Sequence, residues 1–268
     1  MTQQRRRGAI FDLDGTLADT SADLIGAANV ALARMGAAGR LDPVRDAGVS
    51  GQGGRAMLRL GYQRSGIAFT EDEISAAYAP FLLDYEAMIA DRSVLFPGVV
   101  DCLDVLEGEG WRLGICTNKP ERLAILLLDA LGVLDRFAAV LGADTLSVRK
   151  PDPWHLWETI DRAGADRGAS VLIGDTVTDR KTAAAAGAPC ILMDFGLSAD
   201  APHDLAPEAV ATAFDQLPGL LRRLAPSIEC VAKAICDWKS IMIRVWSRGV
   251  SSLAPGVGLA MMGMAILR

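Results

Sequence analysis

Two carboxylates one residue apart, Asp12 and Asp14, stand where a short apolar run ends, in Phe11-Asp12-Leu13-Asp14-Gly15-Thr16. Along an extended chain, side chains two apart share a face, so Asp12 and Asp14 converge on one pocket if the strand runs that far. Such a pair can divide its work. One carboxylate serves as nucleophile or metal ligand, and the other, its pKa raised by its neighbour, as general acid and base. Three more polar clusters follow apolar runs. Thr117-Asn118-Lys119 offers a hydroxyl, an amide and backbone N–H groups to an anion as the chain turns into a helix. In Arg149-Lys150-Pro151-Asp152-Pro153 the first proline keeps Lys150 extended and the second opens a helix, so the lysine has little freedom. Gly174-Asp175-Thr176-Val177-Thr178-Asp179 adds two carboxylates spaced to share a hard cation. Taken together, these groups describe an Mg²⁺ site for an oxyanion such as a phosphoryl group, where metal and lysine neutralise charge while an aspartate attacks.

The elements that must position these clusters follow from hydrophobic periodicity. From residue 8 to about 224, short apolar runs alternate with helical spacing, the pattern of βαβ units. Strands are expected at residues 8–13, 111–116, 137–142 and 170–174, with a fifth at 189–193. Helices are expected at Val99–Gly108, Glu121–Leu131, Pro153–Ala163 and Thr178–Ala186. The fold class is α/β, a doubly wound parallel sheet. Each chemical cluster then falls at the carboxyl end of a strand, where open α/β sheets bind ligands. Residues 19–92 lack strand-like runs and carry Ala/Leu periodicity at 22–35, 55–60 and 72–89. They read as a small helical cap inserted after the first strand, a lid over the site. The expected domains are a core of residues 1–18 and 93–224, a cap of 19–92 and an extension of 225–268.

Composition narrows the function classes. The 268 residues are 51% hydrophobic and 22% charged, a folded rather than a disordered chain. With 27 Lys and Arg against 33 Asp and Glu, the net charge of -6 argues against nucleic acid as a partner and leaves a small anionic metabolite open. Five cysteines without a Cys-x-x-Cys pair read as reduced thiols, neither a disulfide framework nor a zinc site. The basic start Arg5-Arg6-Arg7 leads into an apolar run too short for a signal peptide, and no stretch suits stable membrane insertion, so the expected location is cytoplasmic.

Asp-Leu-Asp-Gly-Thr at 12–16, Thr117, Lys150 before Pro151, and Gly-Asp-x-x-x-Asp at 174–179, in that order, resemble the four motifs of the haloacid dehalogenase superfamily. The insert resembles its helical C1 cap, and the core its Rossmannoid sheet. The second aspartate of the first motif is similar to the superfamily's phosphatases and phosphomutases. Thr-Asn-Lys-Pro at 117–120, Phe-Pro-Gly-Val at 96–99 and Ser-Gly-Gln-Gly-Gly-Arg at 50–55 resemble phosphoglycolate phosphatases. The resemblance implies that Asp12 carries an aspartyl-phosphate and that Asp14 protonates the leaving alcohol and then activates water. Thr117 and Lys150 would hold phosphoryl oxygens, with Asn118 beside them. Mg²⁺ would be bound by Asp12, Asp175 and the backbone carbonyl of Asp14, with Asp179 next to it. Gly51, Gly53, Gly54 and Arg55 would form a substrate-specificity loop. The implied activity is Mg²⁺-dependent hydrolysis of a small phosphomonoester, first of all 2-phosphoglycolate. Pyrophosphate, sugar phosphates and nucleotides stay open as substrates, as do a phosphomutase and a phospho-accepting signalling module.

Plainer roles compete at some positions. An aspartate at the start of a helix, such as Asp179, is favoured by the dipole alone. Lys119 and Arg122 read as exposed residues at a helix N-terminus, and Arg55 as a solvated helix residue. His155 and His203, without partners at metal-ligand spacing, read as core or surface residues. Residues 225–268 hold five basic and two acidic residues, with an apolar stripe at Ile228, Val231, Ile235, Trp238, Met242 and Val245. That stripe suits packing on the chain's own core, a membrane surface or a partner.

Overall fold

The structure is a computed structural model, described here for residues 6–195 and 201–225. The expectations for residues 225–268 therefore lie outside the described residues beyond Ala225. In chain order the elements are β1 (Gly8–Phe11), β2 (Ala18–Asp19), α1 (Ser21–Arg34), α2 (Ala47–Ser50), α3 (Gly54–Ser65) and α4 (Glu71–Ala87). They continue with β3 (Val94–Leu95), α5 (Val99–Gly108), β4 (Arg112–Cys116), α6 (Glu121–Ala130), β5 (Ala139–Leu141) and α7 (Pro153–Arg162). The chain then forms β6 (Ser170–Gly174), α8 (Val177–Ala186), β7 (Cys190–Met193), β8 (Ala209–Ala211) and α9 (Leu217–Leu224).

Six strands make one sheet in the order β5-β4-β1-β6-β7-β8, and every pairing is parallel. The chain steps outward from β1 through β4 to β5, then returns to β6 on the other side of β1. That reversal is the topological switch point, and it places the carboxyl ends of β4, β1 and β6 side by side. Alternation along each strand feeds two cores. Ala9, Phe11, Val171 and Ile173 join Leu103, Leu127 and Leu221 on one face. Ile10, Leu172 and Leu192 join Leu156, Ile160 and Ala183 on the other. Burial on both faces is why these strands read as unbroken apolar runs.

A separate apolar cluster holds the helical insert together, with Ile25 and Leu32 of α1 against Met57 and Leu58 of α3 and Ile74, Phe81 and Tyr85 of α4. The two chain crossings between insert and sheet pair as an antiparallel ribbon, Ala18 opposite Leu95 and Asp19 opposite Val94. Beside this ribbon, the fully buried Asp23 accepts hydrogen bonds from Arg92 N at 2.9 Å, Ser93 N at 2.7 Å and Ser93 Oγ at 2.7 Å. A carboxylate saturated by three donors and the Arg92 guanidinium is tolerated in the interior and fixes the return of the chain to the core.

Candidate active site

The first motif does not continue as strand. β1 ends at Phe11, and the N–H groups of Thr16, Leu17 and Ala18 all turn back onto the Leu13 carbonyl. Gly15 makes this turn possible. Its φ is +80°, and an added Cβ would lie 2.5 Å from Asp175 Oδ2. In consequence the two aspartates face different partners. Asp12 is tied to β6 through its N–H to Ile173 O at 2.8 Å, and its carboxylate accepts from Leu13 N at 2.7 Å and pairs with Lys150 Nζ at 3.0 Å. Asp14 instead accepts from Thr20 Oγ1 at 2.7 Å and Lys119 Nζ at 2.9 Å.

At the end of β6, Asp175 accepts from Thr16 Oγ1 at 2.7 Å. Asp179 belongs to a reciprocal capping box with Thr176 at the start of α8, and its other oxygen takes Lys150 Nζ at 2.6 Å. One side chain thus both caps the helix and lies against Lys150 beside Asp12 and Asp175. Lys150 comes from the loop after β5, where its peptide bond to Pro151 is cis. Asp152 and Pro153 open α7, with Asp152 accepting from Trp154 N at 2.9 Å. Asn118 Nδ2 donates to the Lys150 carbonyl at 3.1 Å and braces the lysine's backbone. Thr117 is buried, its Oγ1 accepting from Lys119 N at 3.2 Å.

Oxygens of Asp12, Asp175 and Asp179, all buried, lie within 4.8 Å of one another. Burial and the neighbouring Asp179 carboxylate push Asp12 up to about 6 against the pull of Lys150. Burial, then Asp179 and Asp12, hold Asp175 well above the usual carboxylate range. The same negative charges raise Lys150 despite its burial. Three carboxylates and one ammonium leave two negative charges out of water, and a divalent hard cation on oxygen ligands is the natural counter-charge. The donor set fits Mg²⁺.

The residues expected to form the substrate-specificity loop are spread out. Gly51 lines a cleft together with Asp14, Gly15, Thr20, Ser50 and Asp175. Gly53, at φ +88°, sets the turn into α3, while an added Cβ on Gly54 would overlap the Phe81 ring. Arg55 lies over the Tyr78 ring at 4.5 Å and donates to Ser75 Oγ at 2.8 Å. Lys119 departs from expectation. It is buried, its ammonium drawn inward by Asp14 and by Tyr85 Oη at 2.8 Å, whereas Arg122 is exposed and pairs with Glu86. His155 is a core residue, facing Cys116 Sγ at 3.4 Å and the Gly142 carbonyl at 3.0 Å, and His203 is exposed. Thr16, Thr20 and Tyr85 hold site carboxylates or their partners without having been singled out. Thr16 had a signal in the first motif, but Tyr85 had only the spacing of a core residue.

The haloacid dehalogenase-like hydrolase family matches residues 9–193. A phosphoglycolate phosphatase of Mesorhizobium japonicum is 40% identical over 211 residues, covering 78% of this chain and 91% of its own. One of Agrobacterium fabrum is 38% identical over 220 residues, covering 81% and 93%. Among solved structures, a predicted phosphoglycolate phosphatase from Haemophilus somnus superposes with a TM-score of 0.72 at 24% identity, covering 80% of this chain and 97% of its own. CbbY from Rhodobacter sphaeroides, in complex with phosphate, gives 0.66 at 20% identity, covering 79% and 96%. The chain belongs to the haloacid dehalogenase-like hydrolase family and is similar within it to the phosphoglycolate phosphatases.

Proposed function

We propose that this hydrolase is an Mg²⁺-dependent phosphatase acting on a small phosphomonoester, 2-phosphoglycolate first, through an aspartyl-phosphate on Asp12. The observation that carries the reading is Asp12 packed against Lys150 at 3.0 Å beside Asp175 and Asp179, with Asp14 held separately by Thr20. The choice of 2-phosphoglycolate draws on the relatives named for it, at up to 40% identity across nearly their whole length. Residues 19–92 act as the cap and the sheet domain as the core.

Lys150 and Thr117 hold phosphoryl oxygens while a carboxylate oxygen of Asp12 attacks phosphorus. The bond from phosphorus to the ester oxygen breaks, and Asp14 gives that oxygen its proton, so the alcohol leaves neutral. Asp14, now a carboxylate, takes a proton from water, the hydroxide attacks phosphorus, and the Asp12–phosphorus bond breaks to release inorganic phosphate. Asp12, Asp175, Asp179 and the Asp14 backbone carbonyl would hold the Mg²⁺, which when bound neutralises phosphoryl charge. Gly51, Gly53, Gly54 and Arg55 carry the substrate-selecting turn of the cap, and Asn118 serves the phosphoryl pocket through Lys150. Seating of the cap keeps bulk water from the acyl phosphate.

The net charge of -6 and the absence of a helix long and apolar enough to cross a membrane among the described residues suit a small metabolite as the partner, with neither nucleic acid nor bilayer. Buried free Cys102, Cys116 and Cys190 suit the reducing cytoplasm. Phosphate release from a panel of 2-phosphoglycolate, pyrophosphate, sugar phosphates and nucleotides, with Mg²⁺ or with EDTA, tests the reading. Mg²⁺-dependent release led by 2-phosphoglycolate is expected. Transfer of the phosphoryl group to a sugar without net release would favour a mutase instead.

A further inference from the structure

Lys119 and Tyr85 form a buried polar contact at the site that the hydrolysis scheme leaves unused. Lys119 sits in the turn between β4 and α6, two residues after Thr117, and its side chain is 3% exposed. Its ammonium reaches both oxygens of Asp14, at 2.9 and 3.2 Å, and donates to Tyr85 Oη at 2.8 Å. Tyr85 lies in the last turn of α4 in the helical insert, its ring stacked on Phe81 with centroids 6.4 Å apart and planes 9° from parallel. Burial pushes its phenol up to about 12, so the oxygen is a neutral acceptor for the ammonium. Thr20 Oγ1, just before α1, takes the Asp14 oxygen from another side. A chain of contacts thus runs from the cap's apolar core through Tyr85 and Lys119 to the acid/base carboxylate. A contact to both oxygens fixes the rotation of that carboxylate, and the desolvation cost of the buried ammonium is offset by its contacts to Asp14 and Tyr85.

We propose that Lys119 and Tyr85 are positioning residues which aim Asp14 at the leaving-group oxygen when the cap is seated on the core. The inference rests on Asp14 being the proton donor of the proposed hydrolysis. As the bond from phosphorus to the ester oxygen breaks, the electron pair stays on that oxygen and the Asp14 proton moves onto it. An alkoxide needs that proton to depart, whereas an acidic phenol leaves without it. Misaiming Asp14 therefore slows alkyl phosphates far more than aryl phosphates.

The test measures kcat/KM, which covers steps through departure of the alcohol, for 2-phosphoglycolate, ethyl phosphate and p-nitrophenyl phosphate with Mg²⁺. The proteins are wild type, Tyr85→Phe, Lys119→Met and Lys119→Arg, each checked for a wild-type-like cooperative unfolding transition. Tyr85→Phe keeps the stacked ring and removes only the acceptor. Expected is a loss on both alkyl substrates, relative to the aryl one, of about tenfold for Tyr85→Phe and about a hundredfold for Lys119→Met, with partial recovery in Lys119→Arg. Equal losses on alkyl and aryl substrates, or none on either, would overturn the proposal. So would a loss confined to 2-phosphoglycolate, which would assign Lys119 to the substrate's carboxylate. If wild type and Asp12→Asn are equally active, the hydrolysis scheme itself fails, whatever the other variants do.

Discussion

Lys150 is the single positive charge among three buried carboxylates, with its ammonium 3.0 Å from Asp12 and 2.6 Å from Asp179. Removing one partner of such a cluster leaves charge uncompensated out of water, a cost of about 3–5 kcal/mol. Lys150→Met is expected to lower the unfolding midpoint by several degrees and to abolish turnover, both read by thermal unfolding and phosphate release. Much of the lost stability should return with Mg²⁺, because the cation replaces the missing charge. His155 makes a separate, pH-dependent contribution. Burial, aided by the Lys150 charge, lowers its pKa below the ordinary 6.5. The folded state then binds fewer protons than the unfolded chain, so this contribution is complete above pH 6.5 and is lost as pH falls below it. His155→Gln should flatten the acid limb of stability below about pH 6.5 in denaturant titrations. At this scale the gathering of these side chains was legible. Asp12 and Asp175 announce themselves by standing where apolar runs stop, and Lys150 by the prolines at 151 and 153 that follow it. Lys119 was misjudged because its partner Asp14 lies 105 positions away and Tyr85 comes from the insert, and neither contact leaves a local mark.

At the scale of elements, the same residues serve folding and the proposed chemistry. The Thr176–Asp179 box starts α8 and also orients the Asp179 carboxylate toward Lys150. Thr176→Ala should cost about 1 kcal/mol of stability by loss of the cap, and should weaken turnover by more than that change in folding explains, seen by comparing activity with the folded fraction. Gly54 marks the close approach of α3 to Phe81. Gly54→Ala is expected to destabilise by about 1–3 kcal/mol through overpacking of the cap, measured by urea unfolding. The core helices α5 to α8 were legible to within a residue or two, α5, α6 and α7 from an apolar stripe and α8 from its Thr start and the alanine run ending at Gly187. The short α2 escaped, as did three further features. The strand pair of β2 and β3 is two residues long on each side, below any periodic signal. β8, Ala209–Ala211, is three residues of ordinary composition at the sheet edge, and α9 begins at Leu217 directly behind a 3₁₀ turn. The expected continuation of β1 to Leu13 failed because the Leu13 carbonyl is taken by three N–H groups of its own turn.

For the whole molecule, the sheet's reversal at β1 gathers groups from residues 12, 117, 150, 175 and 179 at one end, where Tyr85 of the helical insert meets Lys119 at 2.8 Å. The sequence order of the four clusters implies this gathering, because a parallel sheet leaves only its carboxyl edge for residues that follow strands. Which cap groups reach the site is a matter of tertiary packing, and Tyr85 shows how little periodicity says about it. A ligand bound only by the folded state stabilises by mass action, about 2.7 kcal/mol at a hundredfold excess over Kd. Mg²⁺ should therefore raise the unfolding temperature by several degrees, and Asp175→Asn should remove most of that shift.

The most direct measurement mixes the protein with 2-phosphoglycolate and Mg²⁺, quenches it in acid within the first turnover, and weighs the peptide bearing residues 8–18 by mass spectrometry. The account predicts one added phosphoryl group on Asp12, transient in wild type and absent in Asp12→Asn, which also releases no phosphate. Rapid phosphate release from wild type with no label on Asp12 at any time, or full turnover by Asp12→Asn, would contradict it.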